Sequence, residues 1–243
     1  MRVGVITGTG TYALPESGFG DVEVVHVTRH EEGHRRLSNH VDHRANVLRL
    51  KEAGVDAVVA VTVCGAVDPT VPLGSLIVFD DLHFLANRLA DGSLCTLYDT
   101  PGDPLRGHWI YERPFAEGVR QALLAGSRDA GVPARDGGCY GHVDGPRFNT
   151  RAEVRSLALA GVTAISQTAG PETVLCAEAE LPYALLGYAT DYANGVTEDP
   201  TPVDELVRLI GASGAVFADV LARALPLLAG AELAPPGTIY RFE

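Results

Sequence analysis

Residues Asp56 to Val63 read DAVVAVTV, a nearly unbroken apolar run. A strand this apolar is buried on both faces, which is the position of a central strand in an α/β sheet. The rest of the chain repeats the theme. Val3–Thr7, Val22–Thr28, Ser75–Phe79, Thr163–Ser166 and Tyr183–Thr190 read as strands. Between them lie helical patterns. One runs from about Val41 to Ala53 and stops at Gly54, and one from Phe115 to Ala130 stops at Gly131. Thr150-Arg151-Ala152-Glu153 fits a capping box, so a helix is expected from there to about Ala160. Pro171 suits the first turn of another, where its missing N–H is harmless. Apolar residues from Val203 to Leu228 mark a long C-terminal helical region, with Gly211 and Gly214 as candidate break points. Residues 85–114 read as irregular. Alternating strands and helices predict a three-layer α/β/α sandwich around a mixed, mostly parallel central sheet. With no repeat and no linker-like break, residues 1–243 are expected to form a single domain.

Hydrophobic residues make up 46% of the chain, enough for a sizeable core, and the formal net charge is −12. A field of that sign disfavours nucleic acid and anionic membranes as partners, and leaves room for a small local anion site. Cys64, Cys95, Cys139 and Cys176 show no C-x-x-C spacing, so they are expected as free thiols of a cytoplasmic protein. The N-terminus enters a strand directly, without the basic and apolar regions of a signal peptide. No uninterrupted apolar run nears the ~20 residues of a membrane span.

Several short segments could carry chemistry. Gly8-Thr9-Gly10 follows a strand, and such a turn either brings backbone N–H groups to an anion or is simply tight. The third glycine of a dinucleotide fingerprint is replaced by Ala13. Five histidines, His26, His30, His34, His40 and His43, crowd one stretch. Arg29, Arg35, Arg36 and Arg44 are interleaved with them and would oppose a metal dication. Anion contact by Arg29 with one or two of the histidines suits the guanidinium better. Cys64 ends the most apolar strand and is either a nucleophile or, more simply, a buried thiol. Asp191 closes another apolar strand as a loop residue or a site acid.

Five segments together are specific: VITGTGT (Val5–Thr11), RHEEGHRRLSNHVDHRAN (Arg29–Asn46), VTVCGA (Val61–Ala66), GPRFNTRAE (Gly145–Glu153) and TAGPETVLCAEAELPYALLGYATDY (Thr168–Tyr192). In order and spacing the chain resembles the trimeric purine nucleoside phosphorylase family, most closely its 5′-methylthioadenosine phosphorylase branch. The resemblance implies phosphorolysis of a purine nucleoside to free base and a ribose-1-phosphate or 5-modified analogue. It implies phosphate as co-substrate, no metal or organic cofactor, and a homotrimer. Phosphate would be held by Gly8, Thr9, Arg29, His30, Thr62, Val63 and Thr168. Phe148, Asn149 and Thr190 would flank the base, and Asp191 would face its N6/N7 edge as the catalytic acid. Gln167 would lie under the ribose. Val203 and Val207 would line the 5′ pocket, joined by His108 of a neighbouring subunit. An apolar 5′ pocket leaves a 5′-hydroxyl unpaired and so favours a 5′-deoxy-5′-modified adenosine.

Departures from the family pattern set the open questions. Glu31 and Glu32 stand where a glycine and a basic residue are expected. They would weaken a phosphate site unless they point away or pair with Arg35 and Arg36. Gln167 replaces the usual Met, and Ala193 replaces a second acid. Asn149 also departs from the residues common beside Phe148, and the segment from Thr9 to Arg29 is short. These features keep alternatives in view: a 6-oxopurine-preferring phosphorylase, a phosphate-independent nucleoside hydrolase on the same fold, or a non-catalytic nucleoside-binding module.

Overall fold

The apolar run folds into a ten-residue strand, Ala57–Ala66, at the centre of the sheet. The computed structural model describes residues 1–14 and 18–242. The elements follow as β1 (Arg2–Thr7), β2 (Glu23–Thr28), α1 (His43–Glu52), β3 (Ala57–Ala66), β4 (Leu76–Val78), β5 (Asp81–His83), β6 (Gly107–Tyr111) and α2 (Glu117–Asp129). Then come β7 (Arg135–Asp136), β8 (Cys139–His142), α3 (Arg151–Leu159), β9 (Val162–Ser166), α4 (Ala169–Glu178), β10 (Tyr183–Tyr192), α5 (Val203–Leu227) and β11 (Gly237–Arg241).

The main sheet runs β5-β8-β9-β3-β10-β4-β7, with β1 and β2 attached to the first half of β3. β3 pairs in parallel with β10 from Val58 to Ala66. On its other edge β1 covers Ala57–Ala60, and Gly65 and Ala66 meet β9 antiparallel. A strand that exchanges neighbours along its length makes the sheet curl. Apart from β3–β9 and β4–β10, the pairs in this sheet are parallel, so the sheet is mixed and mostly parallel.

Period-two alternation divides the core between two faces. Val58, Ala60 and Cys64 of β3 face one side, with Tyr183, Leu185 and Ala189 of β10, and pack with Val47 and Leu50 of α1 and Leu175 and Cys176 of α4. Ala57, Val59 and Val61 face the other side, with Ala184, Leu186 and Tyr188. There they meet Val119 and Leu123 of α2 and Phe217, Val220 and Leu221 of α5. This is the three-layer arrangement the alternation of elements predicts.

Helix α3 begins where the capping box places it. Thr150 Oγ1 accepts from the Glu153 amide at 3.3 Å, and the Glu153 carboxylate accepts from the Thr150 amide at 2.8 Å. Helix α5 runs through both candidate break points without interruption. Gly214 is there for closeness, since a side chain would press on the Gly10 carbonyl. Gly10 itself has φ +80, and a Cβ there would come within 2.7 Å of the Ile210 carbonyl. The Gly-rich turn after β1 is therefore seated on α5. With its following turn, Val203–Gly230 is long and apolar enough to cross a membrane by length and composition alone. The face bearing Leu209, Phe217, Val220 and Leu221 is buried in the core.

The stretch expected to be irregular holds β6, which pairs antiparallel with β11 as a separate two-stranded sheet. Residues 15–17, inside the short segment between Thr9 and Arg29, lie outside the described residues.

Candidate active site

The carboxyl ends of β1, β2, β3, β9 and β10 meet at a cavity of about 280 Å³. Ligands in open α/β sheets bind at such strand ends. Gly8 and Thr9 come from β1, Arg29 and His30 from β2, and Thr62, Val63 and Gly65 from β3. Ser166, Gln167 and Thr168 follow from β9, and Thr190 and Asp191 from β10. Phe148 and Asn149 close a rim from the segment before α3, with Phe148 63% exposed.

Arg29 is 2% exposed and bound on three sides. Its Nε and Nη2 donate to the two carboxylate oxygens of Glu172 at 2.6 and 2.7 Å, and Nη1 donates to the Val61 carbonyl at 2.6 Å. Glu172, on α4, is fully buried. Burial opposes its ionisation, but the Arg29 guanidinium overrides burial and holds the carboxyl well below the usual range. Of the five guanidinium N–H groups, one on Nη1 and one on Nη2 stay free. Nη1 lies beneath the Gly8 turn, 2.9 Å from where a Cβ on Gly8 would stand. The cation is thus a clamped, half-neutralised donor rather than a mobile one.

His30 donates from Nδ1 to the Arg36 carbonyl at 2.8 Å and stacks on His34 at a centroid distance of 4.2 Å. A carbonyl only accepts, so neutral His30 keeps Nε2 as its acceptor. Burial, reinforced by Arg29, drives its ionisation down to about 4. The other histidines of the cluster disperse. His26 shares a 2.8 Å hydrogen bond with Thr7, His40 is exposed, and His43 is buried 3.6 Å from Glu172. Among the described residues, no group of three or more His, Cys, Asp or Glu is placed to hold a metal ion.

Glu31 pairs with Arg36 at 2.8 Å, and neither Glu31 nor Glu32 lines the cavity. Thr62 Oγ1 lies 3.1 Å from Ser166 Oγ. Thr168 sits at the start of α4 without a side-chain capping bond, and it lines the cavity.

At Asp191 the β10–β3 register slips by one residue, with Thr190 as the extra member. Such a bulge re-aims the next side chain. Thr190 Oγ1 donates to Asp191 Oδ1 at 2.9 Å. A proton on the neutral acid therefore belongs on Oδ2, which lies over the bare face of Gly65. Burial pushes the Asp191 carboxyl above its ordinary value, with the Thr190 hydrogen bond opposing. Burial, with the Asp191 carboxylate nearby, also keeps the Cys64 thiol protonated, so Cys64 lines the cavity as an inert wall.

Two predicted residues are placed outside the cavity. Val203 and Val207 are 73% and 61% exposed and do not line the cavity, whereas Leu206 and Ile210 do. The two pairs are offset by three positions, which turns one from the other by about 60° around the helix. The sequence pattern marked the helix without fixing its rotation. His108, expected at the site of a neighbouring subunit, lies on β6, edge-on to Phe242 and outside this chain's own cavity. Residues the sequence reading missed include Ser38, Ser166 and Asn194. Ser166 had a usable signal, since it adjoins Gln167 at a strand end; Ser38 and Asn194 had none.

The acid-sensitive groups predict a pH dependence of stability. His30 and His142 are both lowered by burial from 6.5, to about 4 and about 3, and Glu172 is lowered from 4.5. The unfolded chain therefore takes up these protons first. The contribution of these three groups is complete above pH 6.5 and is lost as pH falls, first through the histidines and below 4.5 through Glu172. Each group contributes a slope of up to about 1.4 kcal/mol per pH unit. Urea midpoints should fall steadily from pH 6.5 to 4.5, and a flat profile there would contradict this account.

The sequence matches the phosphorylase superfamily over residues 4–226. It is 27% identical to the 6-oxopurine nucleoside phosphorylase of Pyrococcus furiosus, with 93% of each chain covered. It is 30% identical to a probable S-methyl-5′-thioinosine phosphorylase of Methanopyrus kandleri, covering 85% of this chain and 78% of that one. The fold superposes on methylthioadenosine phosphorylase from Schistosoma mansoni in complex with adenine with a TM-score of 0.81, at 25% identity, covering 95% of this chain and 92% of that one. With this match over most of its length and its strand-end cavity, the chain belongs to the phosphorylase superfamily, in its purine nucleoside phosphorylase branch.

Proposed function

We propose that the protein cleaves the glycosidic bond of a 5′-deoxy-5′-modified adenosine, such as 5′-methylthioadenosine, with phosphate as the attacking co-substrate. The observation that carries this reading is Asp191, a carboxyl raised by burial and aimed over Gly65 into the cavity. A neutral acid can donate to purine N7 while its other oxygen accepts from a 6-amino group. As the bond breaks, N7 gains negative charge and the acid supplies a proton. Gly8, Thr9, Arg29, His30, Thr62, Val63 and Thr168 form the phosphate side, and Phe148, Asn149 and Thr190 border the base. Leu206 and Ile210 supply the apolar wall for the 5′ group. Val203, Val207 and His108 then belong to a homotrimer contact, and a cytoplasmic location and a single domain complete the reading.

A 6-oxopurine preference is the second reading, favoured by Ala193, which lines the cavity where a second acid would read the amino group. The carboxylates that suggested a phosphate-independent hydrolase, Glu31 and Glu32, do not line the cavity. A panel of methylthioadenosine, adenosine, methylthioinosine and inosine, each with and without phosphate, tests these readings. Adenine released from methylthioadenosine only when phosphate is present is the expected result. Release that persists without phosphate, or no base from any substrate, would overturn it.

A further inference from the structure

Gln167 stands where the resemblance puts a ribose contact, yet both ends of its amide are engaged within the chain. Its Oε1 accepts from Ser38 Oγ at 2.9 Å, and its Nε2 donates to the Arg147 carbonyl at 3.1 Å. The amide cannot be turned round, because a peptide carbonyl offers no proton and must face the NH₂. Ser38 follows the Arg29–His30 wall of the cavity. Arg147 immediately precedes Phe148 on the opposite rim. Gln167 therefore spans two chain segments that flank the site from different sides.

Two further observations bear on this bridge. A Cβ on Gly145 would collide with both Gln167 Oε1 and Ser38 Oγ, so the rim backbone is laid directly against the bonded pair. Ser38 and Gln167 also line a second cavity, of about 220 Å³, so the pair is a partition between it and the nucleoside cavity. The Ser38–Gln167 bond is part-buried, and the Gln167–Arg147 bond reaches the exposed rim, where Arg147 also bonds Glu153 and Asn194 bonds the Asn149 carbonyl, each at 2.7 Å.

We propose that Gln167 is a positioning residue that ties the Phe148 rim to the Ser38 turn, and that through this tie it sets affinity for the purine base rather than reading a sugar hydroxyl. This rests on the purine nucleoside reading of the cavity. A rim already ordered before the base arrives binds it without the cost of ordering that segment. A Met at this position fills the same space but has no donor or acceptor to hold the rim.

Free adenine separates the two roles, because it has no sugar. Gln167→Met and Ser38→Ala are compared with the unsubstituted protein by calorimetric titration of adenine in the presence of phosphate, and of phosphate alone. Tryptic cleavage after Arg147 is followed by mass spectrometry in the ligand-free proteins. In both variants the adenine Kd is expected to rise about tenfold, equivalent to about 1.4 kcal/mol. Phosphate affinity should change by less than about twofold. Cleavage after Arg147 should accelerate about tenfold, as local opening becomes easier. Unchanged adenine binding, or unchanged cleavage after Arg147, overturns the tie. If the unsubstituted protein binds neither adenine nor hypoxanthine, the purine reading and the base-affinity claim fail together, while the cleavage rates still decide whether Gln167 holds the rim.

Discussion

Glu172→Gln should cost about 3–5 kcal/mol of folding free energy, because it strands the Arg29 guanidinium in the core. The substitution preserves shape, so the loss reports charge rather than a cavity. Arg29 and Glu172 are 2% and 0% exposed, and only the edge of the guanidinium beside Gly8 meets the cavity. Domains of this kind are stable by only about 5–15 kcal/mol, so the variant should be marginal at growth temperature. A large drop in urea midpoint and in soluble yield is the measurement. The double variant Arg29→Met, Glu172→Leu should recover much of the stability, since apolar replacements of a buried pair are often neutral. It should not recover phosphate use, because the free N–H groups beside Gly8 leave with Arg29. An unchanged urea midpoint in Glu172→Gln would show that the pair is not what holds α4 to the end of β2.

Asp191→Asn should lower kcat/KM for 6-aminopurine nucleosides by about 10²–10⁴, the usual worth of a positioned acid. An amide offers no transferable proton to N7 at the moment the bond breaks. With 6-oxopurine nucleosides the loss should be smaller, within about tenfold, because the Asn NH₂ suits a base edge that presents two acceptors. Thr190 continues to orient the side chain, so geometry is nearly retained. Initial rates on methylthioadenosine and methylthioinosine decide the matter. Equal losses on both substrates would mean that Asp191 does not read the base.

Much of the fold is legible in local sequence. The apolar run marks β3, and the capping box marks the start of α3 to the residue, because both are short-range signals. Strand β8, with the sequence CYGH, shows no alternation and escapes. So do β6 and β11, whose pairing partners are distant in sequence. Cavity-lining residues were legible in or just past the carboxyl halves of strands, as at Gly8, Arg29, Thr62, Thr168 and Asp191. It was not legible where three-dimensional partners decide. Arg29 and Glu172 are 143 residues apart, and no spacing rule announces their ion pair. The rotation of α5, which puts Leu206 and Ile210 in the cavity in place of Val203 and Val207, follows from packing on the Gly10 turn.

The two central strands have a division of labour along their length. From Val58 to Val61 in β3, and from Tyr183 to Leu186 in β10, every side chain serves one face of the core or the other. Only beyond those stretches do Thr62–Gly65 and Thr190–Asp191, with Ala193 and Asn194 just past β10, reach the cavity. Selectivity and robustness are thus written on consecutive stretches of the same two strands. A directed-evolution library at Ala193 and Asn194 varies this end of the cavity while Val58–Val61 and Tyr183–Leu186 keep their core residues. Thr190 is the exception: it is the extra residue of the register slip, so the aim of Asp191 into the cavity depends on the count of residues as well as their identity.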